Sequence, residues 1–196
     1  MSGDELLAVR HDIWIVRHGE TEWSRTRKHT SVTDVDLTER GERDAVALRP
    51  VLRAHHFALV LTSPRRRARR TAELAGFADA LVEPDLAEWH YGDHEGRTTP
   101  EIRVDEPGWT VWHGTIPGGE TIEDVELRVR RVIARCDRID GDVLCFGHGH
   151  SLRVLTAVAL GFDGRAGARF ALDAGAIGII GFEHEYRTLR RWNATP

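Results

Sequence analysis

Four short apolar runs break an otherwise mixed chain, and three of them stop abruptly at groups able to hold an anion. Residues 13–16 run into Arg17-His18-Gly19-Glu20, residues 57–61 into Thr62-Ser63-Pro64, and residues 143–146 into Gly147-His148-Gly149-His150. The fourth, residues 176–182, is rich in Ile and broken by Gly178 and Gly181. Apolar runs of this length, bounded by turn-forming residues, predict buried strands.

Helical periodicity fills the intervals. Thr38 can cap a helix running to Ala54, with Pro50 expected to kink or shorten it. Ser63-Pro64 places a hydroxyl at an N-cap and proline at the first helical position, a start signal for the next helix. Ile122, Val125, Val129, Val132, Ile133, Cys136 and Ile139 fall on one helical face with arginines opposite. Residues 151–160 predict another helix, with Gly161 at its end. Strands alternating with helices, without repeats or a linker, predict one domain over residues 1–196. The expected fold is α/β, a three-layer sandwich with a mostly parallel central sheet and helices on both faces.

In such a sheet, ligands gather at the carboxyl ends of the strands, where helix N-termini also point. An Arg-His, a Ser-Pro-Arg cluster and a His-Gly-His are thus predicted to meet at one edge. Guanidinium groups fork onto phosphate oxygens, and imidazoles add further donors. Arginine runs are more often solvated helix faces, and Arg65, Arg66, Arg69 and Arg70 are read that way.

Composition narrows the partners. The net charge of -4 argues against nucleic acid, whose phosphates demand a positive surface. No apolar stretch approaches the ~18 residues of a membrane span, and the acidic start MSGDELLAVRHD lacks a signal-peptide core. Cys136 and Cys145, with no CxxC, fit a reducing compartment, so a cytoplasmic enzyme is expected. His148 and His150 could form an H-x-H metal pair, but no carboxylate or cysteine cluster stands at a matching spacing. No metal and no cofactor are therefore expected.

Arg17-His18-Gly19-Glu20-Thr21-Glu22-Trp23, Ser63-Pro64-Arg65-Arg66-Arg67-Ala68 and Gly147-His148-Gly149 together carry a resemblance. With Asp36-Leu37-Thr38-Glu39-Arg40-Gly41, Leu86-Ala87-Glu88-Trp89-His90-Tyr91-Gly92 and Glu95-Gly96 between them, the chain resembles the histidine phosphatase superfamily, also called phosphoglycerate mutase-like. An Arg-His-Gly triplet alone is weak; ordered motifs across nearly the whole chain are specific. The resemblance implies that His18 is the nucleophile that becomes phosphohistidine and Glu88 the proton donor. It also implies a phosphate pocket of Arg17, Arg67, His148 and Gly149, with Arg67 chosen because the family's arginine stands four residues after the serine. Ser24 replaces a common asparagine and Thr30-Ser31 a common Thr-Gly pair. Thr21, Ser24, Thr30 and Tyr91 are the candidate substrate contacts.

Residues 89–96 and 172–178 look most like those of small acid phosphatases and sugar-phosphate phosphatases, including sedoheptulose-bisphosphatase types. The resemblance thus implies a metal-independent phosphomonoesterase that hydrolyses small phosphorylated metabolites through a phosphohistidine intermediate. A cofactor-dependent phosphoglycerate mutase is the alternative, disfavoured because little chain is left to cover the site against water. A silent phospho-ligand binder has no use for both nucleophile and acid. Apolar edges that pair in this fold class allow a homodimer.

Overall fold

Alternation along the first strand sets up both faces of the sheet. In β1 (Ile13–Arg17), Ile13 and Ile15 face one core cluster while Trp14 and Val16 face the other, as the two-residue period of a strand requires. The structure is a computed structural model describing residues 11–195. It contains β2 (Leu59–Thr62), β3 (Leu81–Val82), β4 (Val143–Gly147), β5 (Ile177–Glu183) and β6 (Tyr186–Ala194) beside β1. The strands form one sheet in the order β3-β2-β4-β1-β5-β6. The β1–β4, β2–β4 and β2–β3 pairs are parallel, whereas β5 runs antiparallel to both β1 and β6. Central β4 is buried throughout, which explains its unbroken apolar sequence.

Among the described residues six α-helices accompany the sheet: α1 (Glu22–Arg25), α2 (Glu39–Arg53), α3 (Arg66–Leu74), α4 (Thr99–Asp105), α5 (Ile122–Cys136) and α6 (Gly149–Ala159). Leu48 and Leu52 of α2 and Ala72 of α3 pack with Val16, Leu144 and Phe146 on one face. Val125, Val129 and Val132 of α5 and Leu152 and Leu155 of α6 pack with Ile13, Ile15 and Cys145 on the other. The expected three-layer α/β arrangement is what forms. Among the described residues no helix is long and apolar enough to cross a membrane.

Local expectations fare unevenly. Thr38 caps α2 as predicted, accepting from Gly41 N–H at 3.0 Å. Pro50 does not cut that helix short, because it lies on the exposed face in the last turns, where water can serve the carbonyl left without a partner. Ser63-Pro64 does not start α3. The helix begins at Arg66, whose N–H is met by Asp34 Oδ1 at 3.0 Å from a distant loop, because the Ser63 hydroxyl is engaged elsewhere. Ile139 lies beyond the end of α5 and packs against the same core. β6 has no counterpart in the sequence reading. Its turn uses His184 in the left-handed region (φ 52°) rather than a glycine, so the hairpin carries no Gly signal.

Candidate active site

Register brings the site together. Arg17 stands opposite Gly147 and Thr62 opposite Phe146 in the parallel ladders. The three strands therefore end at one level, and the next residues, His18, Ser63 and His148, emerge side by side. His18 N–H donates to Gly147 O (3.0 Å) and Ser63 N–H to Phe146 O (2.9 Å), carrying the ladder one residue beyond the strands.

His18 is 5% exposed, and its Nδ1 lies 2.7 Å from Gly19 O. A carbonyl only accepts, so the proton sits on Nδ1 and the Nε2 lone pair is left bare. Burial first, then the charges of Arg67 and Arg17, holds the imidazole well below 6.5, outweighing the opposing pull of the Gly19 carbonyl. The ring is neutral at pH 7, the form in which an imidazole nitrogen has a lone pair to offer.

The His148 ring lies 5.1 Å from that of His18, with Nε2 2.7 Å from Ser63 Oγ. Ser63 Oγ accepts from Arg65 N–H (3.3 Å), and its own O–H has His148 Nε2 as acceptor. Burial, then Arg67 and the His18 ring, keeps His148 neutral, so its single proton resides on Nδ1. That nitrogen is buried and has no partner in the protein.

Two arginines complete the surround. The Arg67 guanidinium donates to Thr33 O (3.0 Å), Thr30 O (3.0 Å) and Ser31 O (3.3 Å), while Arg17 Nη1 donates to Leu172 O (2.5 Å). Nε of each is buried without a partner. An orphaned buried donor costs on the order of 1–3 kcal/mol and is rare. Here three of them, on Arg17, Arg67 and His148, belong to residues around one imidazole. A phosphoryl group against His18 is the ligand such a set fits. Gly149, first residue of α6, lies against Arg17: a Cβ there would be 3.4 Å from the guanidinium carbon.

Glu88 approaches from the other side. Its Oε1 accepts from Trp89 N–H (2.9 Å) and Ser151 N–H (2.8 Å), and its Oε2 from His150 N–H (3.0 Å). The carboxylate is thus docked on the N-terminus of α6, where two otherwise orphaned helix donors fix it. The N–H groups of His150 and Ser151 are thereby taken up by this carboxylate. Arg128 holds the loop that carries Glu88, donating to Asp85 O (2.8 Å) and Ala87 O (2.7 Å) while paired with Glu120.

Arg17, His18, Glu88 and Gly149 line a cavity of about 580 Å³, together with Thr21, Ser24, Thr30 and Tyr91. Arg67 and His148 are buried and do not line it. The four substrate candidates reach the cavity with hydroxyls already engaged. Thr21 and Ser24 form a capping box at the start of α1, Thr30 Oγ1 donates to Lys28 O (3.0 Å), and Tyr91 Oη lies 2.6 Å from His150 Nδ1. Among the described residues no group of three or more His, Cys, Asp or Glu is placed to hold a metal ion, and His148 and His150 each direct a ring nitrogen at a hydroxyl instead.

Three residues of this site escaped the sequence. The sequence offers Ser63 as a helix cap, and offers His150 only a metal pairing with His148 that the lack of further ligands sets aside. Arg128 left one visible trace, a cation inside the apolar stripe between Val125 and Val129.

Four rings, the buried His18, His29 and His148 and the half-buried His150, have lowered pKa values, that of His29 pushed to about 4, with desolvation the leading cause for each. Unfolding returns them to the ordinary value near 6.5, so below that pH the unfolded chain binds protons the folded chain refuses. Stability is therefore expected to fall with pH from 6.5 downward, each ring contributing up to about 1.4 kcal/mol per pH unit. Urea midpoints at pH 7.5, 6.5 and 5.5 measure this; a midpoint unchanged or higher at pH 5.5 contradicts neutral rings.

A sequence model described as the histidine phosphatase superfamily (branch 1) matches residues 13–195. An acid phosphatase of Mycobacterium tuberculosis is 40% identical over 188 residues, covering 93% of each chain. Sedoheptulose 1,7-bisphosphatase of Saccharomyces cerevisiae is 36% identical over 180 residues, covering 75% of this chain and 66% of its own. Among solved structures, an open-reading-frame product of Mycobacterium tuberculosis superposes with a TM-score of 0.90 at 39% identity, covering 94% of this chain and 98% of that one.

Proposed function

Because the chain belongs to the histidine phosphatase superfamily, we propose that it hydrolyses small phosphate monoesters without a metal, passing the phosphoryl group first to His18 Nε2 and then to water. One observation carries the proposal: the His18 ring has its proton pinned on Nδ1 by Gly19 O and its bare Nε2 set among Arg17, Arg67 and His148.

In the first step the N–P bond forms as the ester P–O bond breaks, and the departing oxygen takes a proton from Glu88. In the second step Glu88 takes a proton from water, the new O–P bond forms and the N–P bond breaks. Inorganic phosphate leaves, with His18 neutral and Glu88 protonated again. The arginines supply the positive charge that phosphoryl transfer requires and the His148 and Gly149 N–H groups supply uncharged donors, all fixed in place before the substrate arrives.

The outer cavity favours an anionic metabolite. Arg25, Arg27, Lys28, Arg103 and Arg153 line it against Glu20 and Asp173, although the whole chain carries -4. Clefts of one sign concentrate ligands of the other.

Glu88→Gln tests the acid. On kcat/KM, which reports formation of the phosphoenzyme, it is expected to slow alkyl phosphates by about 10²–10⁴-fold. 4-Nitrophenyl phosphate, whose leaving group needs little protonation, should lose less than about tenfold. Equal losses on both substrates would remove Glu88 from the role.

A further inference from the structure

The ring of His150 takes no part in that mechanism, yet it is among the most firmly placed groups in the cavity. It packs edge-on against Trp112 (5.4 Å between centroids), edge-on against Tyr91 (5.9 Å) and stacked on His29 (6.0 Å). Its main-chain N–H holds Glu88 at 3.0 Å, and His150 and Glu88 line the same cavity.

The proton on this ring can be located. Tyr91 is 1% exposed, and its Oη makes a single hydrogen bond among the described residues, 2.6 Å from His150 Nδ1. Were Nδ1 the donor, a buried phenolic O–H would be left without an acceptor. Tyr91 therefore donates to Nδ1, and the neutral ring carries its proton on Nε2. Nε2 makes no hydrogen bond among the described residues and is not one of the fully buried unpartnered atoms, while His150 lines the cavity. The Nε2–H is therefore left to the cavity that His150 shares with Glu88.

Resting on the phosphatase reading above, we infer that His150 is a specificity-determining residue whose Nε2–H donates a hydrogen bond to a hydroxyl of the departing alcohol. The site then prefers phosphate esters of polyols and sugars to those of simple alcohols, with Tyr91 positioning the donor. Burial, then the charges of Arg153 and His29, disfavours a proton on Nδ1, so the ring acts as an uncharged donor suited to an uncharged hydroxyl.

The test compares kcat/KM for glycerol 1-phosphate and n-propyl phosphate within each variant, a ratio in which a general loss cancels. The unsubstituted protein is expected to favour the glycerol ester by about tenfold, the effect of one neutral hydrogen bond. His150→Phe, which keeps the ring packing, should bring the ratio to about one. His150→Gln, which keeps an N–H near the Nε2 position, should restore part of it. Tyr91→Phe, which removes only the hydroxyl that fixes the tautomer, should lower it by about threefold. A ratio near one in the unsubstituted protein, or unchanged in His150→Phe and Tyr91→Phe, overturns the inference and leaves the phosphatase reading intact. Failure of the unsubstituted protein to hydrolyse either ester or 4-nitrophenyl phosphate overturns both.

Discussion

Replacing His18 with alanine is expected to reduce phosphomonoester turnover by about 10⁴-fold or more, the scale on which removal of a nucleophile acts. The variant should still fold and still bind inorganic phosphate. The substitution removes a ring that is tied to the protein by one hydrogen bond, to Gly19 O. It leaves Arg17 and Arg67 gripped by the carbonyls of Leu172, Thr30, Ser31 and Thr33. Phosphate affinity by calorimetry, circular dichroism and turnover separate these expectations. Rapid quenching in alkaline denaturant should also yield a base-stable, acid-labile phosphoenzyme in the unsubstituted protein and none in His18→Ala. Hydrolysis that persists undiminished in the variant would end the nucleophile assignment, and phosphate binding without turnover in the unsubstituted protein would leave only a binder.

Three imidazoles of the same side-chain type take different chemistry from one small difference each. His18 faces a carbonyl, which can only accept, so one nitrogen is bare and nucleophilic. His148 and His150 each face a hydroxyl that donates, so each presents an N–H. Burial keeps all three uncharged, and the partner atom then decides which nitrogen holds the proton. The arginines supply the charge that neutral rings lack.

This division of labour explains what the sequence could and could not convey. The apolar runs at 13–16 and 143–146 fixed where β1 and β4 stop, and with them the meeting of His18 and His148. Strand period and strand ends are local properties, and local properties are written in neighbouring residues. The partners that set each tautomer lie far away in the chain: Ser63 is 85 residues from His148 and Tyr91 is 59 from His150. Glu88 meets its α6 donors across 62 and 63 residues. Nothing in the spacing of the Gly147-His148-Gly149-His150 motif distinguishes a ring bound to a hydroxyl from one bound to a metal. Ser63-Pro64 shows the same ambiguity from the other side, since a serine fit to cap a helix is equally fit to orient an imidazole.

Gly41→Ala should be the most damaging of the mild substitutions, although the side chain it adds is one methyl group on a helix that carries none of the candidate site residues. Glycine to alanine inside a helix ordinarily stabilises by up to about 1 kcal/mol. Here the sign is expected to reverse. A Cβ on Gly41 would lie 2.1 Å from Glu20 O and 2.7 Å from Glu20 N, and one on Gly19 would lie 2.4 Å from Gly41 O. These are backbone atoms, so no rotamer change relieves the overlap, and the first turn of α2 must move away from the loop bearing His18. That loop is bound to α2 by Thr38 N–H donating to Glu20 O (2.9 Å) and Thr38 Oγ1 donating to Glu20 Oε1 (2.9 Å). It also supplies the Gly19 carbonyl that sets the His18 tautomer. Separation should therefore destabilise the fold by about 3 kcal/mol, the upper range for overpacking. It should also lower kcat by on the order of 10²-fold, as a misplacement of about 1 Å does. Urea unfolding and turnover of 4-nitrophenyl phosphate by the residual folded protein measure the two effects separately. An alanine variant as stable and as active as the parent would mean that α2 and the nucleophile loop do not touch, and the glycine would need another explanation.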